Sequence, residues 1–277
     1  MTFTKYSRTD LLDSLVRFNE YYGRAPRTTD LTPEKNMPSA HYYAKEFGSF
    51  TQALIVTGLY KPIDPNFWNE LDTVQKCYYI GMIAGDGCVT DANMFTMDLC
   101  IVDIRWLDKL KEFMGFSCSV SVRDRYEQLN AVTCRITQSI TPWISDFARY
   151  GVVQRKSGKE RLPIEHCKDE ASIAATILGY HDADFSIHQH GNSYRLNVLG
   201  PKYLCQQTIE VFEEYADVKP GKVPVNTPAN NHLHEVQYAA KGDIEKIYSF
   251  LYQSEDLAPH WLARKHEKWQ QAVGVVA

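Results

Sequence analysis

Residues 78–89 read YYIGMIAGDGCV, an apolar run that ends in Gly85-Asp86-Gly87 and passes straight into strand-like Cys88-Val89. Residues 175–187, ATILGYHDADFSI, have the same form: an apolar run, Gly179, then Asp184 and a strand. Seen once, an Asp-Gly after a helix reads as a cap and a turn. Seen twice, about a hundred residues apart, the period is too long for a solenoid and points to two copies of one domain.

The segments around the two runs repeat in the same order. After the first, MFTMDLCIVD (94–103) alternates and IRWLDKLKEFMG (104–115) is amphipathic and closed by Gly115. FSCSVSV (116–122) and AVTCRITQ (131–138) alternate with period two, the mark of half-buried antiparallel strands, and TPWISDFARYG (141–151) is helical. After the second, FSIHQHG and YRLNVLG form a hairpin, KYLCQQTIEVFEEYA (202–216) a helix, GKVPVNT (221–227) and LHEVQYAA (233–240) strands, and DIEKIYSFLYQ (243–253) a helix. The expected fold class is α+β: two pseudo-symmetric αββαββα repeats, at 62–162 and 163–277.

Residues 1–61 read differently. SRTDLLDSLVRFNEYYG (7–23) has apolar residues at helical spacing, SAHYYAKEFG (39–48) is a short helix, and Ser49 with Gln52 fits a capping box opening FTQALIVTG (50–58). Two short helices joined by a tight glycine turn have the helix-turn-helix form.

Each apolar run carries small residues four apart, Gly81 and Gly85 in the first, Gly179 and Ala183 in the second. Four apart is one helix face, and small residues on one face let two backbones approach closely. If these helices pack on each other, Asp86 and Asp184 stand together at the negative ends of two helix dipoles, where they repel. A divalent cation relieves that repulsion. Hard oxygen ligands suit Mg²⁺, with Mn²⁺ as the alternative, and an ion with open positions can hold a phosphate and activate a water. His188 and His190 lie two apart on a strand, but no cysteine or carboxylate set completes a zinc site at standard spacing.

Composition sets bounds on the function. The 277 residues are 44% hydrophobic and 23% charged, ordinary values for a globular protein. Seven cysteines without a C-x-x-C pair argue for reduced thiols inside a cell. No apolar run spans a membrane and the first residues have no apolar signal region, so an intracellular protein is expected. The net charge of -4 lacks the basic balance usual in nucleic-acid binders, yet binding needs only a local basic face.

YIGMIAGDG (79–87) and ILGYHDADF (177–185) resemble the two LAGLIDADG motifs of single-chain homing endonucleases, and the doubled αββαββα order is similar to that family's fold, over about residues 70–277. GSFTQALIVTGL (48–59), with GRAPRTTDL and PSAHYYAKEFG before it, resembles the small helical repeat often joined to homing endonucleases as a DNA-binding module. The resemblance implies a monomer with internal pseudo-two-fold symmetry whose two sheets form a saddle on double-stranded DNA. It implies metal binding by Asp86 and Asp184. It also implies lysines near the scissile phosphates after each half's last helix, which the Arg-Lys pairs assign to Lys156 and Lys265. The alternative on the same scaffold is a binder without cleavage, an RNA intron maturase or a DNA-binding regulator.

The strands carry a polar face for such a substrate. Thr133, Arg135 and Thr137 alternate with apolar neighbours, as do Arg195 and Asn197 in the second half, and Arg123 with Arg125 closes FSCSVSV. These residues suit phosphates and base edges, although any one of them also fits the wet face of an antiparallel sheet. In the N-terminal module Arg24, Arg27 and Lys45 are the candidate phosphate contacts. One departure from the family pattern stands out: the first motif ends Asp86-Gly87, able to leave its helix left-handed, whereas the second ends Asp184-Phe185. Two unequal half-sites are therefore expected.

Overall fold

The computed structural model describes residues 6–126, 131–155, 158–219 and 233–275. The chain divides into two compact units, Met1–Asp64 with Lys111–Ser119, and Pro65–Leu110 with Val120–Ala277.

The first unit holds α1 (Arg8–Tyr22), α2 (Ala40–Phe47) and α3 (Phe50–Val56). Ser7 opens α1 with a capping box to Asp10, and Gly23 closes it at φ 64°. Gly48, at φ 83°, makes the tight turn into α3, whose first turn is held by Gln52 N–H donating to Ser49 Oγ at 3.0 Å. Leu11, Leu15, Phe18, Tyr43, Ala53 and Leu54 form the unit's own apolar core.

The second unit begins with α4 (Val74–Asp86), β1 (Gly87–Val89), β2 (Met94–Cys100), α5 (Ile104–Phe113, counted with the first unit from Lys111 on), β3 (Ser121–Asp124), β4 (Val132–Ser139) and α6 (Ile144–Arg149), the expected αββαββα order. It continues with α7 (Glu170–Ala183), β5 (Ser186–His190), β6 (Ser193–Gly200), α8 (Lys202–Tyr215), β7 (His234–Tyr238), α9 (Lys241–Leu251) and α10 (Ala263–Val273). The strand expected over 221–227 lies outside the described residues. Both sheets are antiparallel, with orders β1-β2-β4-β3 and β5-β6-β7. Trp68, Phe95 and Phe147 pack edge to face in the first repeat, and Phe212, Tyr238 and Phe250 in the second.

FSCSVSV is shorter as a strand than its alternation predicts. Gly115 ends α5 at φ 66°, and Phe116 N–H returns to Lys111 O at 2.8 Å. Phe116 thus belongs to a helix cap, and pairing starts only at Ser121. β3 is an edge strand exposed on both faces, so Val122 is 57% exposed where an inward residue was expected. Among the described residues no helix is long and apolar enough to cross a membrane.

Candidate active site

α4 and α7 are apolar on all sides, with Cys77–Ala84 and Ala174–Asp182 buried without a break, which is the signature of central helices. Each starts on a side-chain cap. Lys76 N–H donates to Thr73 Oγ1 at 3.2 Å, and Ser172 N–H donates to Asp169 Oδ1 at 2.8 Å. They meet backbone to backbone. A Cβ on Gly81 would fall 2.0 Å from Thr176 O, and one on Gly85 would fall 2.3 Å from the Ala183 Cβ.

This seam joins the two carboxyl ends. The Asp184 Oδ2 stands 3.3 Å from where a Gly85 Cβ would be, one residue before half-buried Asp86. Asp184 itself is exposed and lines an open cleft of about 220 Å³ with Glu160, Tyr180, Gly200 and Pro201. Burial, and then the charges of Asp184, Glu160 and Asp86, push the Tyr180 hydroxyl far up, so it stays protonated.

The two helices end differently, though not as the residues after the carboxylates predict. Gly87 is extended, at φ -72° and ψ 146°, not left-handed. It is needed for room: a Cβ there would fall 2.5 Å from Ile83 O. At the other end Asp184 itself is the helical cap, at φ -114°, and Phe185 N–H donates to His181 O at 3.2 Å. Phe185 is 2% exposed and packs on the ring of Tyr180 at 5.4 Å.

Lys265 is brought to the same place. It lies in the first turn of α10, and its Nζ donates to His181 O at 2.6 Å and Phe185 O at 2.9 Å, on either side of Asp184. Burial pulls its ammonium down, while Asp182, Asp86 and Asp184 push it back up and Arg264 adds to the fall. Lys156 lies outside the described residues. Two groups here escaped the sequence reading. Asp182 is 1% exposed within the second motif. The Glu160 Oε2 is buried without a hydrogen-bond partner among the described residues. Nothing in a lone glutamate after RKSGK signals that burial; Asp182 was legible as the first carboxylate of HDAD.

The sheet residues divide. Thr137 and Arg123 are exposed, and Arg125 and Arg195 half-buried. Arg135 is not a free cation: it sits opposite Asp98 in the β2–β4 register, and its Nε and Nη2 both donate to that carboxylate. Thr133 is 9% exposed, and among the described residues neither its buried hydroxyl nor the buried Asn197 Oδ1 has a hydrogen-bond partner. In the N-terminal unit Arg24 is also spent. Its Nη1 and Nη2 pair with the buried Asp30 at 2.7 and 3.0 Å, and Lys35 joins them. Those bonds, Arg24 first, hold the Asp30 carboxyl far below the ordinary range despite its burial. Arg27 and Lys45 remain exposed.

Residues 6–60 match the family model of the homing endonuclease associated repeat. No curated protein sequence matches the chain. Among solved structures, the homing endonuclease I-WcaI bound to its DNA recognition sequence is similar at 12% identity, over 74% of this chain and 90% of that one, with a TM-score of 0.52. The meganuclease I-SmaMI bound to uncleaveable DNA matches at 12% identity over 73% and 90%, with a TM-score of 0.48. The N-terminal LAGLIDADG domain of DUF199/WhiA matches at 12% identity over 70% and 91%, with a TM-score of 0.43. At such identities the likeness is one of fold. The chain thus joins a stretch that matches the homing endonuclease associated repeat to a two-sheet body with the fold of the LAGLIDADG homing endonucleases.

Proposed function

We propose that the chain is a site-specific endonuclease that hydrolyses a phosphodiester on each strand of duplex DNA in a metal-dependent reaction. The observation that carries the reading is the convergence of Asp86, Asp184 and Lys265 on one small-residue seam. Repelling carboxylates at two helix ends have no use in a protein that only binds a polyanion. The fold of DNA-bound I-WcaI supports duplex DNA as the partner.

The donor set fits Mg²⁺, with Mn²⁺ as a substitute. Among the described residues no group of three or more His, Cys, Asp or Glu could hold a metal. Asp86 and Asp184 would therefore leave positions for water and phosphate oxygens, the way Mg²⁺ is commonly held. Such an ion, when bound, would polarise a phosphate oxygen as a Lewis acid and supply an activated water. Lys265, fixed by two carbonyls, sets a positive charge beside the reacting phosphate, where charge develops. Tyr180 remains protonated and faces the carboxylates as a hydroxyl. Arg123, Thr137 and Arg195 meet phosphates and base edges, and Arg27 and Lys45 add phosphate contacts from the N-terminal unit.

The test is a screen of the full chain on randomised duplex DNA with Mg²⁺, with sequencing of the cut ends. The expected result is one recognition sequence cut on both strands, with cleavage lost in a chelator. Specific binding without cleavage under Mg²⁺ and Mn²⁺ would sink the endonuclease reading in favour of a regulator. Preference for structured RNA would favour a maturase.

A further inference from the structure

We propose that Asp182 is a positioning residue for Lys265, acting from inside the core on one half-site only; the catalytic consequence rests on the endonuclease reading, the positioning itself does not. Asp182 lies two residues before Asp184 and is 1% exposed. A carboxylate so buried is costly unless hydrogen bonds compensate it, and here they do. Its Oδ2 accepts from Tyr78 Oη at 2.7 Å and from Leu262 N–H at 2.9 Å. Its Oδ1 faces His181 Nδ1 at 3.4 Å. His181 Nε2 accepts from Trp269 Nε1 at 3.1 Å, which leaves the proton of the neutral ring on Nδ1, pointing at Asp182. Trp106 Nε1 in turn donates to Tyr78 Oη at 3.1 Å and to His260 O at 2.7 Å.

The bonds converge on the start of α10. Leu262 is the N-cap residue of that helix, and Lys265 is its third residue. Fixing the Leu262 amide fixes the first turn, and with it the stem of Lys265. The Lys265 Nζ then returns to the end of α7, bonding His181 O and Phe185 O. Asp182 and the carbonyls around Asp184 therefore hold α10 at two points. In the first motif the equivalent position is Ala84, which has no carboxylate. The anchor belongs to one half alone.

Two measurements on the full chain test this. The first is acylation of Lys265 by an amine-reactive succinimidyl ester, read by peptide mass spectrometry. Asp182→Asn keeps the shape but turns an amide donor toward donors. It should raise the labelling rate about tenfold, by opening this local unit. Tyr78→Phe, which removes one donor and keeps the ring, should raise it less and serves if Asp182→Asn fails to fold. Unchanged labelling in both variants overturns the proposal. The second is cleavage of DNA labelled separately on each strand. Asp182→Asn should slow one strand about 10²-fold, the scale of a small misplacement, with the other strand and the DNA affinity unchanged. In a Lys265→Met background it should add no further loss. Equal slowing of both strands, or a full additional loss in that background, assigns Asp182 a merely structural role and overturns the proposal. If wild type cuts neither strand, the endonuclease reading fails, and the labelling result alone decides whether Asp182 places Lys265.

Discussion

The Gly179 backbone lies so close to Tyr78 that a Cβ on Gly179 would fall 1.9 Å from the Tyr78 carbonyl oxygen. The obstacle is backbone, which cannot swing aside as a side chain can. Gly179→Ala would gain about 1 kcal/mol of helix propensity. The forced separation should outweigh it, for a net loss of roughly 1–3 kcal/mol. Thermal melts of Gly179→Ala and Gly81→Ala check this; wild-type stability in both would mean that the helices do not meet at these positions.

Asp86→Asn and Asp184→Asn should each cut cleavage by more than ~10²-fold, the loss that outer-shell partners of a metal alone can produce. DNA affinity should hold or rise, because each change removes a negative charge facing phosphate. Cleavage at wild-type rate in both variants would remove these residues from the metal site.

The exposed and the spent cations of the N-terminal unit should behave differently. Arg27→Ala with Lys45→Ala should flatten the slope of log K against log salt by up to ~2 in duplex binding, about one for each phosphate no longer neutralised. Arg24→Ala should instead destabilise that unit by roughly 1–3 kcal/mol, since it strips the main partner from a buried carboxylate. A flattened salt slope with unchanged stability in Arg24→Ala would reverse the assignment.

Phe185 is the residue that predicts unequal half-sites, and its burial bars testing them by substitution at that position. Its ring fills core beside Tyr180 and His181, so Phe185→Ala should cost about 3–5 kcal/mol. The substitution therefore cannot even out the two sites without damage. A time course on strand-labelled DNA with the wild-type chain is the clean measurement, and nicked duplex should accumulate before the double-strand break. Simultaneous cutting of both strands would rule out unequal half-sites.

Burial pulls the imidazoles of His181, His260 and His266 below 6.5. Just below pH 6.5 the unfolded chain binds protons that the folded chain refuses. Stability therefore rises with pH there. The contribution is complete above 6.5 and is lost as pH falls through the depressed folded values. The melting temperature should drop between pH of about 7.5 and about 5, less steeply in His181→Gln. A melting temperature flat across that window would show the imidazoles to be accessible.

The chain's architecture was legible in the sequence because it rests on local, periodic signals. Apolar runs with Gly81, Gly85, Gly179 and Ala183 on one face predict two packed helices, and the doubled element order places Asp86 and Asp184 at their ends. The seam follows from steric smallness, which is a property of the residues themselves. What a cation or hydroxyl does depends instead on a partner distant in sequence. Arg135 and Arg24 look alike in the sequence to Arg123 and Arg27, yet Asp98 claims the first and Asp30 the second. Thr133 alternates correctly and is still buried. Gly87 reads as a left-handed cap and is extended, because it already pairs with Met97 as the first residue of β1. Asp182 becomes an anchor only where Tyr78, Leu262 and His181 close around it. Desolvation and pairing are decided by tertiary neighbours, so the fold and the metal-ligand candidates could be read from the sequence, while the division of its polar residues between scaffold and site could not.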